Sequence, residues 1–262
     1  MLYTGNQHAI IHKNFCEAPQ TLSSQEERKR EMQFNALIEE WPGEFMAYFR
    51  ELPGCYCSAP TYENVLTIIP GTVADYLKWV KANDTTVLDE FDGQIEVTIA
   101  EHILVKNSNI GPLFEADLVP PDDSEIDTAL NVAAAARAAL LELYEQVSPA
   151  QQMHRLSPES WSLYEHMQHL LESEAWYLSR LSEHPPEPAS NAPPADADLT
   201  MTFFDNAMDY ELALRALTPE QRQHIYIHHG EQWTAAKVLR RMTEHLREHY
   251  PWMAEIVKRA NN

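Results

Sequence analysis

The most constraining feature of this chain is the stretch GEQWTAAKVLRRMTEHLREH, residues 230 to 249. Its apolar and histidine positions recur at spacings of four and three residues, which is the period of an α-helix that buries one face. The repeating positions are Val238, Met242, His245, His249, Trp252 and Ile256. The pattern therefore predicts a core helix of a bundle, beginning near Gln232, which Pro251 should kink or interrupt.

His245 and His249 lie one turn apart on the same face of this predicted helix. Two imidazoles in that arrangement can reach a single metal ion from one rigid element. Two core histidines whose ring nitrogens are satisfied by hydrogen bonds would give the same spacing. The spacing alone leaves both interpretations open.

Three further helices are predicted after Val119. Asp122 to Ser124 offer caps for a helix over 125–147, and Ser157-Pro158-Glu159 combines a cap, a first-turn proline and an acid before a helix that runs to about Ser182. A third helix is expected over 199–216, after a connection over 184–198 that is rich in proline and alanine. Four long helices with one long connection predict an all-α four-helix bundle over residues 120–262.

The preceding part of the chain has a different pattern. Residues 32–40 and 44–50 read as two strands that pair as a hairpin around Trp41-Pro42-Gly43, and a short strand should end at Cys57. Thr61 should cap a helix that Pro70-Gly71 interrupts, and residues 95–104 form a further strand candidate. We therefore expect an α+β domain over 32–115, preceded by an extension, 1–31, that lacks a period and should be poorly ordered.

Composition excludes some classes of partner. The chain has 262 residues, with 40 acidic against 19 basic side chains and a net charge of −21. Such a surface repels phosphate backbones, so we expect no nucleic-acid partner. The three cysteines, Cys16, Cys55 and Cys57, are few and odd in number, which favours a reducing compartment. Without an apolar run long enough for a signal peptide or a membrane span, we expect a cytoplasmic protein and no membrane partner.

Two helical segments resemble the DinB/YfiT-like metal-binding bundle family. WSLYEHMQHLLESEAWYLSRL, 161–181, is similar to the family's second-helix motif, with Trp161, then a histidine eight residues later, His169, and then Glu174. GEQWTAAKVLRRMTEHLREH is similar to its last-helix motif. The resemblance implies three metal ligands, His169, His245 and His249. Three imidazoles suit zinc or nickel, with iron or manganese as alternatives, and they leave a coordination position open.

The second helix leaves one ligand open to choice. Its apolar stripe, Leu163, Leu170 and Tyr177, carries His166 rather than His169, so periodicity alone favours His166 as the inward histidine. Glu174 either supports a ligand histidine from behind or lies at an edge with its carboxylate in water. A di-iron site is disfavoured, because the candidate helices contain no Glu-x-x-His pair.

The stretch 32–77 resembles the HicB-like fold, a small sheet and helix related to part of the RNase H fold. The resemblance rests on the hairpin, on Leu52-Pro53-Gly54-Cys55, and on Thr61 followed by Glu63. In that family the domain is usually an antitoxin or binding module with a DNA-binding segment after it. Here the predicted bundle takes that place, so the resemblance implies only the fold.

Two functions follow from the resemblance to the bundle family. The first is a metal-dependent enzyme for thiol transfer or hydrolysis, with a low-molecular-weight thiol or another small molecule as its partner. The second is a metal-stabilised sensor or protein-interaction module without turnover. An open cleft at the histidines would favour the first and a closed core the second. The substrate, the metal and the oligomeric state stay open, with a homodimer as one outcome.

Overall fold

The computed structural model describes residues 32–85, 95–106, 110–185 and 198–261. Residues 1–31, which were expected to be poorly ordered and which include Cys16, lie outside the described residues. The first described region is a four-stranded sheet with one long helix. Its elements are β1 (Met32–Trp41), β2 (Glu44–Phe49), β3 (Tyr56–Ala59), α1 (Tyr62–Ala82) and β4 (Ile95–Leu104). The sheet order is β3-β2-β1-β4, and β4 runs parallel to β1.

The predicted hairpin is confirmed. Trp41 pairs with Glu44, so only Pro42 and Gly43 form the turn, and Gly43 has the positive φ of 86° that a tight connection requires. The side chain of Thr61 caps α1 by accepting from the backbone N–H of Asn64, as expected.

Helix α1 is not interrupted at Pro70-Gly71, and this prediction was wrong. The helix continues through Pro70 to Ala82. Pro70 and Gly71 lie on its exposed face, where water can solvate the carbonyl that loses its N–H donor. The opposite face is buried, with Ile69 and Val73 in the core of the sheet. Tertiary packing of that face outweighs the local cost of the proline.

The second region is helical, as predicted. Its long helices are α2 (Asp123–Glu145), α4 (Leu163–Ser179), α5 (Leu199–Arg215) and α7 (Ala235–Ala260), and its short ones are α3 (Pro149–Gln152) and α6 (Pro219–Gln223). A small hairpin of β5 (Tyr226–His228) and β6 (Glu231–Trp233) precedes α7. None of the described helices is both long and apolar enough to cross a membrane.

Helix α4 begins later than the sequence predicted and ends earlier. Ser162, not Ser157, is the cap, because Ser162 and Glu165 form a reciprocal capping box. The Ser157-Pro158-Glu159 stretch forms a separate turn, in which the Ser157 N–H donates to Ser160 Oγ at 2.8 Å. Ser157 and Ser162 are two candidate caps five residues apart. The helix begins at Ser162 because only this serine is followed by a glutamate, Glu165, at the third helical position.

Helix α7 also differs from its prediction at three points. Gln232 belongs to β6, and the helix begins after its cap, Thr234. Pro251 does not interrupt it, because the helix is anchored in the core on both sides of this exposed proline by His249 and Met253. Trp252, expected in the buried stripe, is 49% exposed.

The sheet is covered on both of its faces, by α1 on one and by residues of α7 on the other. Alternate residues of β1, such as Ala36 and Ile38, face α1, whereas Glu39 on the other face bonds Arg240 of α7 at 3.2 Å. Arg240 also binds Asp117 through two hydrogen bonds. This buried ion triad connects the sheet to the bundle through α7.

Candidate metal centre

Three histidines converge where α4 packs against α7. His169 lies on α4, and His245 and His249 lie one turn apart on α7. One ring nitrogen from each lies within 4.8 Å of the other two, and Nε2 of His169 is 3.0 Å from Nε2 of His245. The structure therefore brings together the three residues that the two motifs indicated.

The cluster spans the boundary between core and surface. His249 is only 1% exposed, whereas His169 and His245 are half-buried. The helical period had predicted both α7 histidines in the core. His245 is instead less buried than His249 and lies nearer the surface.

The donor set fits a divalent transition metal. Two imidazole nitrogens at 2.0–2.1 Å from a tetrahedral ion lie about 3.3 Å apart, close to the observed 3.0 Å between His169 and His245. Burial lowers the pKa of His249 to about 2 and that of His169 to about 4. Both rings are therefore neutral near pH 7 and keep a lone pair for a metal.

Two neighbours orient the rings of His245 and His249. Nδ1 of His245 lies 3.4 Å from the Glu248 carboxylate, an arrangement in which the ring donates from Nδ1 and turns Nε2 toward the cluster. Nδ1 of His249 lies 2.8 Å from Nδ1 of His166. When His249 is the donor in this contact, its Nε2 keeps the lone pair.

His166 and His169 both belong to this cluster of rings. His166 is 6% exposed, as the apolar stripe predicted, and burial lowers its pKa to about 4. His169 is less buried, but it is the one whose ring nitrogen groups with those of His245 and His249. Periodicity thus identified His166, the more buried ring. The motif identified His169, the ring that groups with His245 and His249.

A family comparison matches this part of the chain. Residues 133–253 fit the model of the DinB superfamily. The C-terminal bundle belongs to the DinB superfamily. No curated protein and no solved structure matches the chain. The three-histidine cluster is compatible with a metal-binding DinB-like protein, and the HicB-like resemblance of residues 32–77 stays a prediction.

Glu174 of the DinB domain occupies neither of its two predicted environments. It is 2% exposed, so its carboxylate does not lie in water. Its hydrogen bond goes to Arg137 of α2, from Nε at 2.8 Å, and not to a ligand histidine. Burial raises the pKa of Glu174, and the Arg137 guanidinium opposes that rise. Arg137 lies 37 residues away in sequence, so no local pattern could identify it.

Two exposed tryptophans flank the histidines of the DinB domain. The ring centroid of Trp161, 42% exposed, lies 4.8 Å from that of His169. The ring of Trp252 lies 5.1 Å from that of His249. Both tryptophans and His166 line an open groove of about 480 Å³. From the sequence, Trp161 was identified only as part of the family motif and Trp252 was expected in the core. Their position beside the histidines was therefore not predicted.

Proposed function

We propose that the DinB domain binds one divalent transition metal, zinc or nickel, through His169, His245 and His249. The observation that carries the proposal is the convergence of three imidazoles next to the groove that Trp161, His166 and Trp252 line. The two α7 rings come from one rigid helix, and His169 completes the set from α4. A solvent-facing rim favours an open coordination position over a closed structural site.

We further propose that the site serves thiol transfer or hydrolysis on a small molecule. A divalent ion held here would supply Lewis-acid activation, lowering the pKa of a thiol or water bound to it. Glu248 and His166 would hold the His245 and His249 rings in the ligating orientation. Trp161 and Trp252 would form the apolar walls against which the body of a low-molecular-weight thiol or acceptor packs.

A second function is supported by the way in which the cluster joins two helices. His169 belongs to α4 and the other two histidines to α7, so an ion bound by all three would cross-link these helices. A metal-stabilised sensor or interaction module needs only this cross-link and no turnover. Chelation of the metal distinguishes the two functions. It should remove the activity of an enzyme, whereas it should lower only the stability of a sensor or interaction module.

Metal binding is tested by elemental analysis of the purified protein, followed by zinc and nickel titration of the chelated protein. We expect one ion per chain and a rise in unfolding free energy of about 2.7 kcal/mol at a free-metal concentration 100 times the Kd. The double variant His245→Ala, His249→Ala should show neither effect. His224→Ala is the matched control, because His224 pairs with Glu183 at the surface and should bind metal as the parent does.

The role of His166 is tested by His166→Phe, which keeps an aromatic ring but removes the nitrogen facing His249. We expect metal affinity to fall by roughly 10- to 100-fold while the stoichiometry stays at one ion per chain.

Full metal occupancy in the double variant His245→Ala, His249→Ala would refute the proposed metal site itself.

Activity is tested by comparing chelated and metal-reconstituted protein across a panel of small thiols with electrophilic acceptors, and across simple esters. We expect turnover only in the reconstituted form. Equal background rates in both forms, together with a large loss of thermal stability on chelation, would favour the binding module and refute the enzyme.

A further inference from the structure

A second cleft lies between the sheet and the DinB domain, away from the histidines. It measures about 440 Å³, and residues of β3, α1, α2 and α7 line it. Its α7 residues include Arg247, which is two positions from both His245 and His249. At ~100° per residue, two positions place Arg247 about 200° around the helix from each histidine. The cleft and the metal centre therefore use opposite faces of α7.

Among the residues that the structure describes, Arg247 is the only basic one that lines this cleft. Its Nε donates to the carbonyl of Gly54 at 2.8 Å, and its guanidinium lies 3.9 Å from the ring centroid of Trp79. In the part of the chain that the structure describes, no carboxylate forms an ion pair with it. The buried arginines Arg137 and Arg240, in contrast, each bond a carboxylate. Arg247 thus presents terminal N–H donors that lack an anionic partner.

The backbone near Arg247 is shaped to let this side chain reach the cleft. Gly54 has a φ of +77°, and a Cβ at that position would lie 2.7 Å from Cδ of Arg247. Glycine is therefore required both by the turn and by the passage of the arginine. The hydrogen bond to Gly54 and the stacking on Trp79 fix the guanidinium before any ligand arrives, which reduces the entropy lost on binding.

We propose that this cleft, the Arg247 cleft, binds a small organic carboxylate. The planar guanidinium matches a carboxylate in geometry and charge. Apolar side chains in the remaining walls, such as Trp79, Leu246 and Pro251, would hold a hydrocarbon or aromatic body, and Tyr56, Ser58 and Tyr250 add hydroxyl groups to the lining. The volume of about 440 Å³ lies within the ~300–1,000 Å³ range of small-molecule pockets. The proposal goes beyond the function proposed for the metal centre and does not depend on it.

A monocarboxylate is favoured over a phosphate by the composition of the lining. Of the described residues that line the cleft, one arginine supplies the only positive charge, and the protein as a whole carries a net charge of −21. A doubly charged phosphate would meet stronger repulsion and would find a single cationic partner. An apolar body gains contacts here that inorganic phosphate cannot make.

The experiment titrates the full-length protein with named probes and follows the indole N–H signals in two-dimensional NMR spectra. The probes are 3-phenylpropionate, octanoate, acetate and inorganic phosphate, with neutral 3-phenylpropanamide as the matched control for charge. Trp79→Phe identifies the Trp79 signal. We expect the Trp79 signal to shift in a saturable way with 3-phenylpropionate or octanoate, and the amide to bind at least tenfold more weakly. The result should be the same with chelated and with zinc-loaded protein.

Variants separate recognition from folding. Arg247→Met should weaken binding of the carboxylates at least tenfold, whereas Arg259→Met, on the same helix but paired with Glu255 at the surface, should leave it unchanged. Ala139→Leu fills the cleft without touching the arginine and should also abolish binding, which keeps the test valid if Arg247→Met fails to fold.

Three results would overturn the proposal. The first is equal binding of the amide and the acid. The second is the absence of a saturable shift with any carboxylate at about 10 mM, a concentration that would occupy most of a site with a Kd of about 1 mM. The third is binding of phosphate without binding of any carboxylate, which would assign the arginine to a different class of anion.

Discussion

Replacing Glu174 by alanine distinguishes a structural carboxylate from one that serves the metal centre. Glu174 lies 2.6 Å from Nη2 of Arg137, and the two residues are 2% and 6% exposed. Alanine would leave the guanidinium buried without its carboxylate, which costs about 3–5 kcal/mol. At roughly 2–4 °C per kcal/mol for a chain of this size, the Tm should fall by about 6–20 °C.

The assay is urea unfolding followed by circular dichroism, in the presence of a chelator so that metal binding does not contribute. Glu211→Ala is the control, because Glu211 pairs with Arg215 where both side chains are half-exposed. Its loss should cost less than about 1 kcal/mol. A double variant, Arg137→Met with Glu174→Leu, replaces the pair by apolar side chains and should recover most of the lost stability.

Zinc affinity of the folded Glu174→Ala variant is the decisive second measurement. Because Glu174 bonds Arg137 and not a ligand histidine, we expect the zinc Kd of the folded protein to stay within about threefold of the parent, which is under 1 kcal/mol. A variant that keeps its stability within 1 kcal/mol of the parent but loses about tenfold or more in zinc affinity would refute this reasoning. Glu174 would then have to support the histidines.

Four further predictions concern two glycines, the charge and the N-terminal extension. Gly54→Ala should destabilise the protein by more than about 1 kcal/mol in urea unfolding, since it places a Cβ against Arg247. Gly71→Ala, in a helix with nothing within 4 Å of its Cβ, should stabilise by roughly 0.5–1 kcal/mol. The protein should not shift DNA or RNA in a gel at submicromolar concentration and about 0.15 M salt, and a shift that added salt competes away would contradict the argument from its charge. Deleting residues 1–31 should leave the Tm almost unchanged, and a fall of many degrees would place that segment in the core.

Sequence patterns identified the elements whose formation depends on local chemistry. The hairpin around Pro42-Gly43 and the cap at Thr61 need only nearby residues, and both are confirmed. The order of an α+β part followed by a helical part is confirmed as well. His169 converges with the two α7 histidines in the structure. Helical spacing was enough to predict that His245 and His249 share a face, and the motif was needed to predict His169. Their role as ligands stays a proposal.

The errors arose where distant residues outweigh local rules. Pro70 was expected to interrupt its helix and Pro251 to kink or interrupt its own, but burial of the opposite face carries each helix through without interruption. Glu174 could not be placed without Arg137, which comes from another helix. The start of α4 is an exception, because the reciprocal bond that decides between the two candidate serines is local and joins Ser162 to Glu165.

Helix α7 has a different role on each of its faces, and this affects how variants in it should be interpreted. One face carries His245 and His249 against α4, whereas Arg240 on another face bonds both Glu39 of the sheet and Asp117. An ion at the histidines would therefore fix the helix that also holds the sheet in place. Zinc should then slow amide exchange in β1 as well as in α4, in proportion to the stability that it adds. Protection confined to α4 would mean that the sheet can open without disturbing the metal centre, and that α7 holds the two regions independently.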